Sequence, residues 1–286
     1  KALSRNVWKP MLNRATQGQY PPGSTFKTTQ ALTFLTEGII NSHTMYPCHR
    51  GFYYKGLHIG CHLHKSPLNV VDAIITSCNS YFCWGFLHMI SDRQKYQSVQ
   101  NAMNVWRDYM VSMGLGYKLG IDLPGEKRGL IPNAHFYDKA YNGHWNALTV
   151  ISIAIGQGEV CLTPLQIANL GASIANRGYY YIPHVVSKIK GKPIDPKFRQ
   201  RHYTRASQYA YHLVIEGMRG SAMHGTCKDL ARYDFMPCGK TGTAQNRGQD
   251  HSVFMGFAPM NHPKIAIAVY VENGGWGATY GVPIGA

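Results

Sequence analysis

The segment from residue 41 to residue 68 most constrains how this chain of 286 residues can fold. It is rich in His, Cys, Gly and Tyr and shows no helical or strand periodicity, as its letters show: NSHTMYPCHRGFYYKGLHIGCHLHKSPL. An irregular stretch of this length is uncommon inside a compact domain, because it cannot bury enough apolar surface to hold its own shape. Something other than a hydrophobic core is therefore expected to hold it together.

Cysteine and histidine side chains bracket this segment and supply candidates for that role. They are Cys48, Cys61, His62, His64 and Cys78. Three thiolates and one imidazole form a normal tetrahedral zinc set, although the spacing here matches no standard zinc finger. A disulfide between Cys48 and Cys61 is the alternative in an oxidising compartment. The total of seven cysteines is odd, which excludes a fully paired disulfide framework.

The high positive charge of the chain is typical of nucleic-acid-binding proteins, but the basic residues are not clustered as such binding requires. Lys and Arg number 29 against 14 Asp and Glu, a formal charge of +15. The basic residues are scattered in ones and twos, and no nucleic-acid-binding motif accompanies them. We expect a solvated basic surface that favours anionic partners such as lipid headgroups, and no nucleic acid. No apolar run reaches the ~18 residues of a membrane span, and both ends of the sequence suggest an excised domain.

Hydrophobic periodicity and turn residues predict a mixture of helices and antiparallel strands. A helix follows the Pro-Pro-Gly sequence and ends at Gly38, and a second apolar helical region contains a turn at Ser77-Cys78-Asn79. Two helical runs are joined by a Gly-rich turn, and the second of them begins at Thr163-Pro164. The remaining predictions are a strand at 179–190, a strand at 236–245 and a hairpin formed by 251–259 and 264–273.

Ser24 and Lys27 lie at the predicted start of the first helix in the pattern Ser-x-x-Lys. A serine hydroxyl is a poor nucleophile unless a base lies within hydrogen-bond reach. Helical residues three apart share a face, so Lys27 is expected to reach the Ser24 oxygen. The helix dipole, a neighbouring cation and partial burial would all lower the pKa of Lys27, and the Ser24 N–H could face an oxyanion.

This pattern is not specific by itself, because about one Ser-x-x-Lys occurs by chance in a chain of this length. A second copy at Ser187 and Lys190 lies in the predicted strand, where residues three apart point to opposite faces and cannot cooperate. The triplet beginning at Lys240 is rarer, with an expected chance frequency on the order of 0.1 per chain. On a strand, Lys240 would supply a second cation and Gly242 would let a substrate backbone lie close.

Ser24-x-x-Lys27, Ser77-x-Asn79 and Lys240-Thr241-Gly242, in that order, resemble the signature of class B penicillin-binding proteins. The surrounding sequences NRATQGQYPPGSTFK, SCNSYF, GQGEVCLTPLQIAN, GKTGTAQN and DHSVFMGFAP extend the resemblance over nearly the whole chain, and the penicillin-binding protein 2 group is the most similar. The resemblance implies an α/β (α+β) fold of the penicillin-binding-protein and serine β-lactamase type, in which helices and an all-helical subregion flank an antiparallel sheet. Residues 1–286 would be one transpeptidase domain, truncated at both ends and without its N-terminal anchor and pedestal.

The same resemblance implies a D,D-transpeptidase that cross-links peptidoglycan stem peptides during cell elongation. Ser24 would attack the penultimate D-alanine, and Lys27 would accept its proton. Ser77 would pass a proton to the leaving amine with Lys240 tuning it, and Asn79 would bind Lys27 and the substrate's peptide group. A β-lactam would be trapped because its ring imitates the D-alanyl-D-alanine bond.

Substrate binding and the metal ligands also follow from the resemblance. Thr241 and Thr243 would hold the terminal carboxylate beside Gly242, and the N–H groups of Ser24 and Thr243 would form the oxyanion hole. Some proteins of this group carry zinc beside the Ser-x-Asn motif, with a cysteine at its middle position. The ligands favoured here are Cys48, Cys61, His64 and Cys78, with His62 as the alternative to His64. Such a zinc ion would be structural, because four protein ligands leave no open position, and catalysis would need no cofactor.

The implied setting is the periplasmic face of the bacterial inner membrane, with a glycan polymerase and elongation-complex proteins as partners. Three other functions remain open from the sequence. A β-lactamase would need a residue that activates water for deacylation, and none is identified. A β-lactam-binding sensor would keep its acyl adduct. A catalytically silent module held by zinc would bind cell-wall peptide without reacting.

Overall fold

A computed structural model describes residues 2–286 as ten α-helices, seven short or medium strands and several 3-10 turns. The helices are α1 (Arg14–Gln17), α2 (Lys27–Thr36), α3 (Val70–Ile75), α4 (Asn79–Ser91), α5 (Arg93–Tyr96), α6 (Val99–Ser112), α7 (Ala134–Tyr141), α8 (Pro164–Ala175), α9 (Gln208–His224) and α10 (Gly281–Gly285). The strands are β1 (Gly51–Tyr54), β2 (Leu57–Gly60), β3 (Tyr179–Tyr180), β4 (His202–Tyr203), β5 (Cys238–Ala244), β6 (His251–Ala258) and β7 (Ile265–Val271).

The largest sheet is antiparallel and has the order β5-β6-β7, as the C-terminal strand pattern predicts. Helix α8 packs on β6 and β7, while α9 packs beside β5. An added Cβ at Gly171 of α8 would lie 3.2 Å from Met255, so this glycine lets the helix approach the sheet closely. The predicted fold class, an antiparallel sheet flanked by helices, is confirmed.

The helical subregion packs α2 against α4 and α6 around a large apolar core. One buried polar contact fixes its geometry: the Trp106 indole N–H donates to Gln30 Oε1 over 2.8 Å. The Gln30 amide in turn donates to the carbonyl of Ile153 over 3.0 Å. Because the Trp106 indole and the Gln30 amide both have partners, these buried groups hold α2 in a defined position without being left unpaired themselves.

The second apolar helical region is interrupted at the predicted turn. Asn69 caps α3 and Cys78 caps α4 through their side chains, and Ser77 between them adopts a left-handed φ of 56°. That backbone conformation costs free energy for a residue with a Cβ, and such strain concentrates at functional sites. The predicted start at Thr163-Pro164 is also confirmed, because Thr163 forms a capping box with Gln166.

Three predictions of secondary structure need correction. The turn carrying Ser24 is a 3-10 helix, Gly23–Phe26, and the α-helix begins only at Lys27. The run before the Gly-rich turn contains a 3-10 helix, Ile151–Ile155. The strand predicted at 179–190 was wrong beyond Tyr180, since Pro183 removes a backbone donor; Ser187 and Lys190 are exposed and irregular there.

The segment 41–68 contains a small hairpin that periodicity did not predict. Strands β1 and β2 pair around Lys55 and Gly56, which have positive φ values of 46° and 81°. Phe52 is fully buried and packs edge-on against Trp84 of α4, with ring centroids 4.9 Å apart. A Gly in a two-residue turn was the only available sequence signal for this hairpin. Within residues 2–286, no helix has the length and apolar character to cross a membrane.

Candidate active site

A cleft of about 740 Å³ opens where the 3-10 turn at Ser24, the α3–α4 turn and the edge of β5 meet. All three predicted motifs contribute to it: its lining includes Ser24, Ser77, Asn79, Thr241, Gly242 and Thr243. Lys27 and Lys240 have no exposed surface, and their ammonium groups reach Ser77 in the cleft wall. The structure therefore brings together every residue predicted for catalysis and substrate binding.

Lys27 is held by oxygens of the Ser-x-Asn motif. Its Nζ donates to the Ser77 carbonyl over 2.7 Å and to Asn79 Oδ1 over 2.6 Å, and it lies 3.4 Å from Ser77 Oγ. Burial lowers the pKa of Lys27 to about 8. A substantial neutral fraction is therefore present near neutral pH, as a general base requires.

Lys240 contacts the same hydroxyl. Its Nζ donates to Ser77 Oγ over 2.7 Å and to the Thr241 carbonyl over 2.9 Å. Burial, and then the positive charge of Lys27, lower the pKa of Lys240 to about 7. Ser77 is thus the junction between two buried lysines, which is suitable for passing a proton across the cleft.

The expected direct bond from Lys27 to Ser24 is not formed. Among the described residues the Ser24 hydroxyl makes no hydrogen bond, because the Lys27 ammonium is occupied by Ser77 and Asn79. Both side chains nevertheless flank the same wall of the cleft, and a catalytic hydrogen bond often shortens only when substrate binds. The half-buried Ser24 hydroxyl is free to face a substrate.

Two glycines let β5 approach the turn that carries Ser24. An added Cβ at Gly242 would lie 3.0 Å from the Pro22 carbonyl oxygen and 3.3 Å from the Ser24 nitrogen. At Gly23, which has a φ of 54°, it would lie 2.8 Å from the Thr243 carbonyl oxygen. A side chain at either position would separate the strand from the turn, and with them the backbone N–H groups of Ser24 and Thr243.

The predicted metal ligands form a compact Cys/His cluster consisting of Cys48, Cys61, His64 and Cys78. One ligand atom from each lies within 4.8 Å of the others. The His64 Nδ1 contacts the Lys65 carbonyl over 2.7 Å, so its Nε2 is left to face Cys61 Sγ at 3.4 Å. This cluster could hold a metal ion. All seven cysteines are free thiols, and His62 lines the cleft and is not among the four clustered residues.

The Cys/His cluster is joined directly to the catalytic residues. The Asn79 backbone N–H donates to Cys61 Sγ over 3.2 Å, and its side-chain amide donates to the Gly60 carbonyl over 2.7 Å. Because Asn79 also binds Lys27, the position of the Lys27 ammonium depends on the loop that carries Gly60 and Cys61. Cys78 links the two as well, because it belongs to the cluster and its side chain also caps α4, the helix that begins at Asn79.

Two polar residues at the site were missed from the sequence. Gln157 Nε2 donates to the Thr243 carbonyl over 3.3 Å, and Thr226 Oγ1 accepts a hydrogen bond from Thr241 over 2.7 Å. Gln157 lies within the sequence GQGEVCLTPLQIAN that carries the family resemblance, but no role was assigned to it, and it lies 86 residues from Thr243 in the chain. Only tertiary packing brings them to β5.

Comparison with known proteins agrees with this geometry. The penicillin binding protein transpeptidase domain matches residues 2–286. The peptidoglycan D,D-transpeptidase MrdA of Acinetobacter baumannii is 33% identical over 301 residues, covering 97% of this chain and 43% of that protein. The MrdA of Escherichia coli is 29% identical over 315 residues, covering 98% of this chain and 46% of that protein. The chain thus spans a little under half the length of these curated relatives.

Solved structures show the same relationship. Pseudomonas aeruginosa PBP2 in complex with WCK 5153 has a TM-score of 0.82 and 28% identity, covering 97% of this chain and 62% of that one. Helicobacter pylori PBP2, solved in complex with MreC, has a TM-score of 0.82 and 27% identity, covering 99% of this chain and 51% of that one. The chain therefore belongs to the penicillin-binding protein transpeptidase domain family, and its resemblance to class B proteins of the penicillin-binding protein 2 group is confirmed.

Proposed function

We propose that this domain is a D,D-transpeptidase that cross-links peptidoglycan stem peptides during cell elongation through an acyl-enzyme at Ser24. The observation that carries the proposal is the convergence of Lys27 and Lys240 on Ser77, in the cleft that also contains the Ser24 hydroxyl. A nucleophile with a buried lysine base and a proton path to the leaving group is what acyl transfer requires.

In the acylation step, Ser24 Oγ attacks the carbonyl carbon of the penultimate D-alanine. Neutral Lys27 accepts the hydroxyl proton, and negative charge develops on the carbonyl oxygen beside the N–H groups of Ser24 and Thr243. When the C–N bond breaks, Ser77 gives its proton to the leaving amine and is reprotonated from the lysines that contact it. The terminal D-alanine leaves, and the acyl group remains on Ser24.

In the second step, the amine of a neighbouring stem peptide attacks the acyl carbon and gives up a proton to Lys27, which passes it to Ser24 Oγ as the ester C–O bond breaks. Asn79 orients the donor peptide group while it holds Lys27 in place. The Thr241 and Thr243 hydroxyls act earlier, because they bind the terminal carboxylate of the donor before acylation, and that carboxylate leaves with the terminal D-alanine. A β-lactam follows only the first step, since its leaving group stays attached and blocks the acceptor's approach.

The acylation rate is expected to rise with pH as Lys27 loses its proton. Burial lowers the pKa of Lys27 to about 8, so the neutral base increases about tenfold per pH unit below that value and levels off above it. Second-order acylation rates with a fluorescent penicillin, measured between about pH 6 and about pH 9.5, test this. A rate that stays constant or falls over the lower half of this range would exclude Lys27 as the base.

We also propose that the Cys/His cluster holds a structural zinc ion. The donor set supports this, since thiolates and a neutral imidazole with a fixed tautomer suit zinc. The hydrogen bond between Cys78 and Cys61 lowers the pKa of Cys61 and raises that of Cys78, so Cys61 is the more readily ionised thiol of this pair. The ion would stabilise the loop from 41 to 68, and with four protein ligands it would take no part in the reaction.

The proposed setting is the periplasmic face of the inner membrane, with the anchor and pedestal contributed by further parts of a longer protein. Partners would be peptidoglycan stem peptides, a glycan polymerase and elongation-complex proteins. Two structural relatives support this: one is a peptidoglycan synthase complex, described as coordinating polymerization and crosslinking, and the other is PBP2 bound to MreC.

Intact mass spectrometry with benzylpenicillin tests the proposed function. One acyl adduct per chain is expected, and it should persist for hours because the site has no identified residue that activates water. An adduct that disappears within seconds would favour a β-lactamase, and a stable fold without any adduct would favour a silent binding module. A donor peptide ending in D-alanyl-D-alanine, supplied with an acceptor amine, should yield the cross-linked product, which a sensor would not form.

A further inference from the structure

Three hydroxyl groups form a chain that runs from the protein interior to the wall of the cleft. Ser221 Oγ lies 3.2 Å from Thr226 Oγ1, and Thr241 Oγ1 donates to Thr226 Oγ1 over 2.7 Å. Ser221 is fully buried near the end of α9, whereas Thr226 and Thr241 line the cleft. The Thr241 hydroxyl, which is proposed to bind the substrate carboxylate, is therefore the last of three hydrogen-bonded hydroxyls.

The backbone after α9 fixes Thr226 in this position. The N–H groups of Gly225 and Cys227 both donate to the Ser221 carbonyl, over 3.1 and 3.0 Å, and the Thr226 N–H donates to the Ile75 carbonyl over 3.3 Å. An added Cβ at Gly225 would lie only 2.4 Å from that Ile75 oxygen, so the turn is closely packed on α3. Main-chain contacts thus hold Thr226 beside Thr241, and the Ser221 hydroxyl contacts its side chain.

We propose that Thr226 and Ser221 are positioning residues that orient the Thr241 hydroxyl as a hydrogen-bond donor to the terminal carboxylate of the donor substrate. This inference rests on the proposed function, and it names the residues that would make the site prefer a donor with a terminal carboxylate. A hydroxyl has one hydrogen and two acceptor lone pairs, so it can point its hydrogen in only one direction. In the free site that hydrogen points from Thr241 to Thr226.

A bound carboxylate reverses the direction of the chain. Ser221 donates to Thr226, Thr226 donates to Thr241, and Thr241 turns its own hydrogen to the anion. Each hydroxyl keeps a partner in both arrangements, so no buried polar group is left unpaired. Hydroxyl groups aligned in this way polarise one another, which strengthens their hydrogen bonds. The bond from Thr241 to the carboxylate is strengthened most, because its acceptor is charged. Without Thr226, the Thr241 hydroxyl would have no neighbouring hydroxyl to supply this alignment.

The test compares a penicillin that carries its carboxylate with its methyl ester, which has the same ring without the charge. In Thr226→Val, which keeps the branched shape, the second-order acylation rate with benzylpenicillin is expected to fall about fivefold, the value of one typical net hydrogen bond. The rate with the methyl ester should stay within about twofold of the wild type, because no anion is there to accept the bond. The ratio of the two rates should therefore fall.

Two further variants distinguish a relay from a packing effect. Thr226→Ser retains the hydroxyl and should restore the wild-type ratio, while Ser221→Ala should lower it in the same direction but by less. The relay would be overturned if Thr226→Val lowered the acylation rate equally with both probes. It would also be overturned if the ratio of the benzylpenicillin rate to the methyl ester rate stayed unchanged in both Thr226→Val and Ser221→Ala. In either case the wild type would still be acylated. If the wild type forms no adduct with either probe, the proposed function itself fails, and the relay fails with it.

Discussion

Replacement of Ser24 by alanine is expected to abolish covalent labelling by penicillin while the domain remains folded. The Ser24 hydroxyl makes no hydrogen bond among the described residues, so its removal costs little free energy of unfolding. As the proposed nucleophile, however, it forms the only bond to the acyl group. The acylation rate should therefore fall by a factor of roughly 10⁴ or more, which intact mass spectrometry and gel fluorescence can measure.

The chain supplies a matched control in its second Ser-x-x-Lys pattern. Ser187 is exposed and does not line the cleft, so Ser187→Ala should label at the wild-type rate. Unchanged melting temperatures in both variants would show that the contrast is chemical and not a loss of fold. Persistent labelling of Ser24→Ala at the wild-type rate would exclude this residue as the nucleophile.

Replacement of Cys61 by serine is expected to release the proposed zinc ion and destabilise the cleft. Serine can still accept the Asn79 N–H bond, so the main change is the loss of a thiolate ligand. Loss of a structural metal site should cost on the order of 5 kcal/mol of the free energy of unfolding, or roughly 8 °C in melting temperature for a domain of this size. Native mass spectrometry measures the metal content, and calorimetry measures the melting temperature.

The effect should reach catalysis through Asn79, which binds both the Gly60 carbonyl and Lys27. Penicillin acylation is therefore expected to slow in Cys61→Ser. The matched control is Cys161→Ser, a half-buried thiol outside the Cys/His cluster, which should keep its metal content and acylation rate. One metal ion per chain retained in Cys61→Ser, with no change in melting temperature, would contradict the metal-site proposal.

Local sequence patterns predicted several helices and strands around the site correctly, but they failed where an element depends on contacts with distant residues. The C-terminal hairpin and the start of α8 are confirmed because alternation and a capping box are local signals. The strand beyond Tyr180 was wrong, since alternation there has no neighbouring strand to complete it and Pro183 interrupts it. The β1–β2 hairpin was missed because its stability comes from Phe52 packing on Trp84, a contact between distant residues.

The candidate site shows the same contrast between local sequence and distant contacts. The motif residues could be named from the sequence, but the sequence could not settle the choice between His62 and His64. The direct bond expected between Lys27 and Ser24 depended on an ideal helix, whereas the backbone at Ser24 is a 3-10 turn and Lys27 turns to Ser77 and Asn79. Repulsion by Lys240 was expected to lower the pKa of Lys27, yet burial is what lowers it, and the repulsion between the two lysines instead adds to burial in lowering the pKa of Lys240.

By itself, the sequence determined the family and named the residues that carry the proposed chemistry: the proposed nucleophile, the two lysines, the threonines proposed to bind the carboxylate, and the thiols. These follow from residue type and order, which a motif records directly. Only the tertiary structure decided which atoms meet, because burial and contacts between distant segments set them. Burial lowers the pKa values of Lys27 and Lys240, the fold brings His64 to the thiols, and the close packing after α9 brings the Thr226 hydroxyl to Thr241.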